Sequence, residues 1–215
     1  MMKIAIVGAT GGLGQQLVKL GLSRGLDITC VVRNVEKAGE MFGSTAGIIC
    51  ADLATGAGLD EAFAGKDAVI EVISNSERPD GIATIIAKCE SNSVRALAVT
   101  GGAGALYTSA EMNERVVANF MNVPGMEWLQ PVTELHLRVQ EIAFKSSVPV
   151  VMQIEPPGMN AGEATGAFEA TREGVSAGVF AASYVDVAAL YLDSLAAGDA
   201  HNRQMVGLAP KATVA

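Results

Sequence analysis

Six stretches of the chain are apolar continuously rather than alternately: "KIAIV" (3–7), "DITCVV" (27–32), "GIIC" (47–50), "DAVIEVIS" (67–74), "VRALAVT" (94–100) and "VPVVMQIE" (148–155). A strand with that pattern is covered on both faces, as in a parallel sheet. Between the runs, apolar residues recur at helical spacing, first at Leu17, Val18, Leu20 and Leu22, then in "EKAGEMF", "GLDEAFAG", "DGIATIIAKCESN" and "PVTELHLRVQEIAFKSS". A further helix is predicted over "YVDVAALYLDSLAAG" and a last strand over "RQMVGLA". Parallel strands need crossovers, and crossovers are right-handed. The pattern therefore predicts an α/β fold, a Rossmann-like doubly wound parallel sheet with helices on both faces. No linker interrupts it, so residues 1–215 are read as one domain. Residues 156–183 and 198–215 are expected to form a small C-terminal lobe over the substrate side.

Composition narrows the class. Half of the 215 residues are hydrophobic, too many for a disordered chain. A net charge of −8 argues against nucleic acid as a partner but leaves room for a local basic pocket. No apolar run reaches the roughly 18 residues of a membrane helix, and strand-like sequence from Lys3 leaves no signal peptide to read. Cys30, Cys50 and Cys89 lack metal-ligand spacing and read as reduced thiols, two of them in buried strands. A cytoplasmic protein is expected, without a metal, a monomer or homodimer, whose partner is a small molecule.

The first strand runs into "GATGGLG", with Gly8, Gly11 and Gly14 at spacing three. A glycine turn between a strand and a helix lets the backbone approach a pyrophosphate, and the helix offers free N–H groups and its positive end. Strand before, helix after and a second β unit behind raise this above a bare glycine triplet. At the end of the second strand, where an acid would hold a ribose 2′-hydroxyl, stands Arg33, with Lys37 one turn on. A guanidinium suits a 2′-phosphate, so NADP(H) is preferred over NAD(H). Asp52 and Leu53 follow strand three, Ser74 ends strand four, Thr100 and Gly101 end strand five, and Glu155 with Pro156 ends strand six. All lie at the carboxyl edge, where such sheets bind ligands.

Together "GATGGLGQQLV", "VVRN", "ADL", "DAVIEVIS", "AVTGGAGAL" and the "PP" after strand six resemble the atypical short-chain dehydrogenase/reductases with an NAD(P)H-binding domain. That group contains flavin reductase/biliverdin-IXβ reductase, NmrA-like proteins and bacterial NADH-flavin reductases. The resemblance covers nearly the whole chain. It implies that Gly8, Thr10, Gly11, Gly12, Leu13 and Gly14 wrap the pyrophosphate and that Arg33 reads the 2′-phosphate. It places Asp52 and Leu53 beside adenine, Ser74 by the ribose, and Thr100 and His136 near the nicotinamide. The chain departs from the wider superfamily in lacking Tyr-x-x-x-Lys: Tyr107 is followed four residues on by Glu111, Tyr184 by Ala188, and Val132 and His136 stand at the helix positions of the pair.

Without that acid, carbonyl reduction is disfavoured. Hydride transfer to a flavin or quinone, completed by solvent protons, is the expected reaction. The competing reading is a dinucleotide-binding sensor of the NmrA-like type that does not turn over. Candidate catalytic groups are His136, which suits proton delivery, Thr100 and Glu155. Glu71, a carboxylate in a central strand, must pair with a neighbour or stand in the crevice. Arg78 reads as a solvated surface residue or, more sharply, an anion contact. Met112, Val116, Val117, Phe120 and Met121 fall at helical spacing within the long 101–131 loop and are expected to pack in the core or form a lid.

Overall fold

A computed structural model describes residues 1–73, 75, 78–171, 174–198 and 202–211. Ser74 and His201 lie outside the described residues. The strands β1 (Lys3–Val7), β2 (Asp27–Val32), β3 (Gly47–Cys50), β4 (Ala68–Glu71), β5 (Ala96–Gly102), β6 (Val150–Glu155) and β10 (Gln204–Val206) form one parallel sheet in the order β3-β2-β1-β4-β5-β6-β10. The order reverses between β1 and β4, whose pairing runs from Ile4↔Ala68 to Val7↔Glu71.

Helices cover both faces. Ile4 and Ile6 of β1 face Leu17 and Val18 of α1 (Gly12–Ser23), Phe42 of α2 (Val35–Phe42) and Tyr191 of α6 (Tyr184–Ala196). Ala5 and Val7 face the other way, toward Phe63 of α3 (Leu59–Phe63), Ile85 of α4 (Asp80–Ser91) and Val139 of α5 (Leu129–Ala143). Each large aliphatic side chain sealed in these layers contributes about 1.5–3 kcal/mol. Asn34 caps α2 by accepting from Lys37 N at 2.8 Å, and Ser183 caps α6 by accepting from Asp186 N at 3.0 Å.

The sequence expectations differ from the structure in four places. The last predicted strand breaks at Gly207: β10 extends the main sheet beside β6, and β11 (Leu208–Pro210) pairs antiparallel with β8 (Phe168–Ala170). A second small pair joins β7 (Gly158–Asn160) to β9 (Ala181–Ser183). Cys50 is exposed, because β3 is the sheet edge, whereas Cys30 and Cys89 are buried. The 101–131 stripe is not core: Val116–Phe120 forms a 3-10 helix with no buried residue, and Met112 and Met121 are exposed.

Candidate active site

The glycine loop separates two kinds of glycine. Gly8 sits at φ +93°, and a Cβ there would lie 2.6 Å from Val72 O; one on Gly14 would lie 2.3 Å from Gly8 O. Those two are bare because the strand-to-helix turn is tight. Gly11 is different: only Gly8 O, at 3.4 Å, would come within 4 Å of its Cβ, and its φ of −72° admits any residue. Nothing in the fold requires glycine at position 11. Its bareness leaves an exposed approach to the start of α1, whose first turn carries no acidic residue and no side-chain cap. That is the cradle an anion needs.

On either side of this loop lies a cavity of about 290 Å³, and both include Val72 and Ile73 in their walls. The first is bordered by Gly8, Thr10, Gly11, Arg33, Lys37 and Leu53. The second is bordered by Gly12, Leu13, Thr100, His136, Glu155 and Tyr184. They lie side by side along the carboxyl edge, sharing Val72 and Ile73, and are together called the trough. Its lining fits a dinucleotide: two cationic side chains at one end, the glycine backbone in the middle, and a half-polar chamber beyond.

Three expected contacts lie elsewhere. The Asp52 carboxylate turns to its own loop, where it accepts from Ala54 N at 2.8 Å, so Leu53 alone of that pair borders the trough. Gly101 is buried, and its missing side chain makes room for Met152 and Ile154, whose atoms come within 2.8 Å of a Cβ placed there. Pro156 borders a smaller neighbouring pocket with Leu106 and Val179.

Behind the second chamber lies a buried polar network. The β4–β5 ladder ends at Ile70↔Ala98. Beyond it, Glu71 stitches the two strands with its side chain: Oε2 accepts from Thr100 N at 3.0 Å and Oε1 from Ile73 N at 2.7 Å. Arg78 donates through Nη2 to Glu71 Oε1 at 2.5 Å and through Nη1 to Thr100 O at 3.3 Å. Both charged side chains are essentially sealed. Glu71 thus takes the paired alternative, and Arg78, read from sequence as a surface residue, is its buried partner. A charge in this position is costly to strand alone, and the pair answers that cost.

Thr100 Oγ1 donates to Glu71 O at 2.8 Å and lies 2.8 Å from the hydroxyl of Tyr191, which is 3.0 Å from Glu155 Oε1. Tyr191 was missed in the sequence. It reads there as one more core position of α6, and it is fully buried. Burial raises the Glu155 carboxyl from 4.5 to about 7, while hydrogen bonding from Tyr191 and the charge of Arg78 pull in the opposite direction. Burial likewise holds the Tyr191 phenol well above its ordinary range. His136 is sealed to 6 % exposure, with Nε2 3.3 Å from Asn75 Oδ1 and Nδ1 packed on the bare backbone of Gly102. Burial, then the Arg78 charge, lowers its pKa from 6.5 to about 4. It is a neutral imidazole near pH 7, suited to forming a wall rather than to delivering a proton as imidazolium.

The family model described as NAD(P)H-binding matches residues 8–197. Among solved structures, ChuY, an anaerobillin reductase from Escherichia coli O157:H7, superposes with a TM-score of 0.78 over 97% of each chain at 17% identity. A short-chain dehydrogenase/reductase from Veillonella parvula in complex with NADP superposes with a TM-score of 0.76 over 99% of this chain and 96% of that one, at 18% identity. These likenesses are of fold. Among curated proteins, photosystem II assembly factor Ycf39 is 29% identical over 126 residues in Trieres chinensis, covering 59% of this chain and 39% of that protein. The Cyanidium caldarium Ycf39 is 35% identical over 71 residues, 33% of this chain and 23% of that protein. The chain thus spans well under half the length of these curated relatives.

Proposed function

The chain belongs to the NAD(P)H-binding family, and on that premise we propose that it is an NADPH-dependent oxidoreductase passing a hydride to a flat, conjugated small-molecule acceptor of flavin or quinone type. The observation that carries this reading is the trough itself: two chambers that share Val72 and Ile73 as walls, one of them bordered by the bare Gly11. When bound, the dinucleotide supplies the hydride.

The chain's own residues bind and orient. Arg33 and Lys37 would hold a 2′-phosphate, which is the basis for preferring NADPH to NADH. Thr10, Gly11, Gly12 and Leu13 would present backbone to the pyrophosphate. Thr100, fixed from three sides by Glu71 and Tyr191, and the neutral His136 would form the floor and wall of the nicotinamide chamber. Placement of this kind is a large part of catalysis for an acceptor whose own π-system takes up the electrons. The tyrosine-lysine acid pair of the wider superfamily it resembles is absent from the sequence, which favours such acceptors over simple carbonyls.

Titration with NADPH and NADH, followed by turnover with FMN and small quinones, tests the proposal. Saturable turnover supports it. Tight binding without turnover of any acceptor supports the second reading, a dinucleotide-binding sensor or assembly protein, which the partial likeness to the Ycf39 assembly factors favours.

A further inference from the structure

The hydroxyl chain behind the nicotinamide chamber has more contacts than hydrogens. Three close oxygen–oxygen contacts link its members, Glu71 O to Thr100 Oγ1 at 2.8 Å, Thr100 Oγ1 to Tyr191 Oη at 2.8 Å, and Tyr191 Oη to Glu155 Oε1 at 3.0 Å, and Thr100 also faces the Glu155 carboxyl. The carbonyl at the inner end only accepts. Thr100 and Tyr191 bring one hydrogen each. If Glu155 is a carboxylate, two hydrogens serve three contacts, and one pair of buried oxygens faces each other across a bare gap. If Glu155 carries a proton, each of the three close contacts has its hydrogen: Glu155 donates to Tyr191, Tyr191 to Thr100, and Thr100 to the Glu71 carbonyl. Buried polar groups are almost always satisfied, so the protonated arrangement is the one the fold selects.

Glu155 is also the outermost member of the chain. It stands at the tip of β6, keeps part of its surface exposed, and borders the chamber with Thr100, His136 and Tyr184. From these contacts and this position we infer that Glu155 is a catalytic acid, neutral at the outer end of the Tyr191–Thr100 chain and giving its proton to the acceptor. The inference rests on the reductase reading above and replaces solvent as the proton source. Among the described residues, the ionisable groups around Glu155 are Glu71 of β4, Arg78 before α4, His136 of α5, and Tyr184 and Tyr191 of α6. Glu71 and Arg78 cancel as an ion pair, and His136 is neutral, so the local field does little to force ionisation. The desolvation that raises Glu155 to about 7 agrees with the hydrogen count.

The step balances for a quinone acceptor. With two electrons and one hydrogen supplied as hydride from bound NADPH, the Glu155 O–H bond would break and an O–H bond would form on the quinone oxygen. The products are NADP⁺ and the hydroquinone. Glu155, now a carboxylate accepting from Tyr191, regains its proton from water at the mouth of the trough.

The test pairs two flat acceptors. A quinone needs a proton as well as a hydride, whereas an N-methylphenazinium cation becomes neutral on hydride addition alone. In Glu155→Gln, the ratio of quinone to phenazinium kcat should fall by roughly 10²-fold or more, the lower range for a positioned general acid. NADPH affinity should stay within about threefold, which also reports that the variant is folded. An unchanged ratio overturns the inference. Infrared spectroscopy of the wild-type protein alone gives a readout free of turnover: at pH 6, where ordinary carboxyls are ionised, a protonated-carboxyl band should be present and should titrate away near pH 7. Its absence overturns the inference even if the variant does not fold. Failure of the wild type to reduce either acceptor overturns the reductase reading, and the acid role with it, whereas turnover with an unchanged ratio overturns the acid role alone.

Discussion

Replacing Gly11 by valine separates a nucleotide cradle from a plain turn. A Cβ at this position meets only Gly8 O, at 3.4 Å, and the backbone there is extended, so the fold accepts the side chain. The isopropyl group would instead fill the approach to the first turn of α1. If it removes two charge-assisted hydrogen bonds from backbone N–H groups to pyrophosphate, at about 1.5–3 kcal/mol each, the loss is about 3–6 kcal/mol. At about 1.4 kcal/mol per tenfold, NADPH binding should weaken by roughly 10²- to 10⁴-fold, with the unfolding midpoint in urea barely moved. Gly14→Ala is the counter-case. Its Cβ would lie 2.3 Å from Gly8 O and 2.8 Å from the Ala9 backbone, with no side chain that can yield. It should destabilise the protein by about 1–3 kcal/mol or more. Calorimetric titration with NADPH and urea denaturation read the two effects. A folded Gly11→Val protein with wild-type affinity would refute the cradle. A stable Gly14→Ala alongside an unfolded Gly11→Val would refute the geometry behind both.

Other outcomes follow from neighbouring residues. Arg33→Ala should weaken NADPH by about 1.5–3 kcal/mol, the worth of a charge-assisted contact, while changing NADH little; equal losses in parallel titrations would remove the cofactor preference. Arg78→Met strands the Glu71 charge in a sealed site and should lower stability by about 3–5 kcal/mol in a denaturant series, whatever the effect on cofactor. Tyr107→Phe and Tyr184→Phe should keep quinone kcat within about tenfold, since neither hydroxyl belongs to the proton chain; a hundredfold loss in either would mark a different acid. His136 and Glu155 shift in opposite directions and so tilt stability oppositely with pH. The depressed His136 loses stability as pH falls from 6.5 toward 4, and the raised Glu155 loses it as pH rises from 4.5 toward 7. Urea midpoints across that range should therefore fall with acid more steeply in Glu155→Gln than in the wild type.

The layers of this fold were legible because short unalternating apolar runs bounded by turn residues read as doubly covered strands, and the loop "GATGGLG" between a strand and a helix reads as a tight turn. The edges were less legible. Gly207 divides one apolar stretch between two sheets, and residues as short as β7, β8 and β9 carry no period of their own. Within the site, residue types at strand ends pointed to Arg33, Leu53 and Thr100, which do border the two cavities. The buried polar network behind them was not legible, because its members gather from distant segments. Arg78 looked like a loop arginine until Glu71 was seen to need it, and Tyr191 looked like a core aromatic until its hydroxyl was placed between Thr100 and Glu155. Gly101 looked like a site residue by position, but it is bare for Met152 and Ile154.

The central claim is that the trough holds NADPH and hands its hydride to a flat acceptor. The direct measurement is the rate of NADPH oxidation, followed by nicotinamide absorbance, when the purified protein is mixed with NADPH and a small quinone. The account predicts oxidation that saturates in both reactants, exceeds the protein-free rate, favours NADPH over NADH and is lost in Gly11→Val. Saturable NADPH binding with oxidation no faster than without protein, across quinones and FMN, would contradict it.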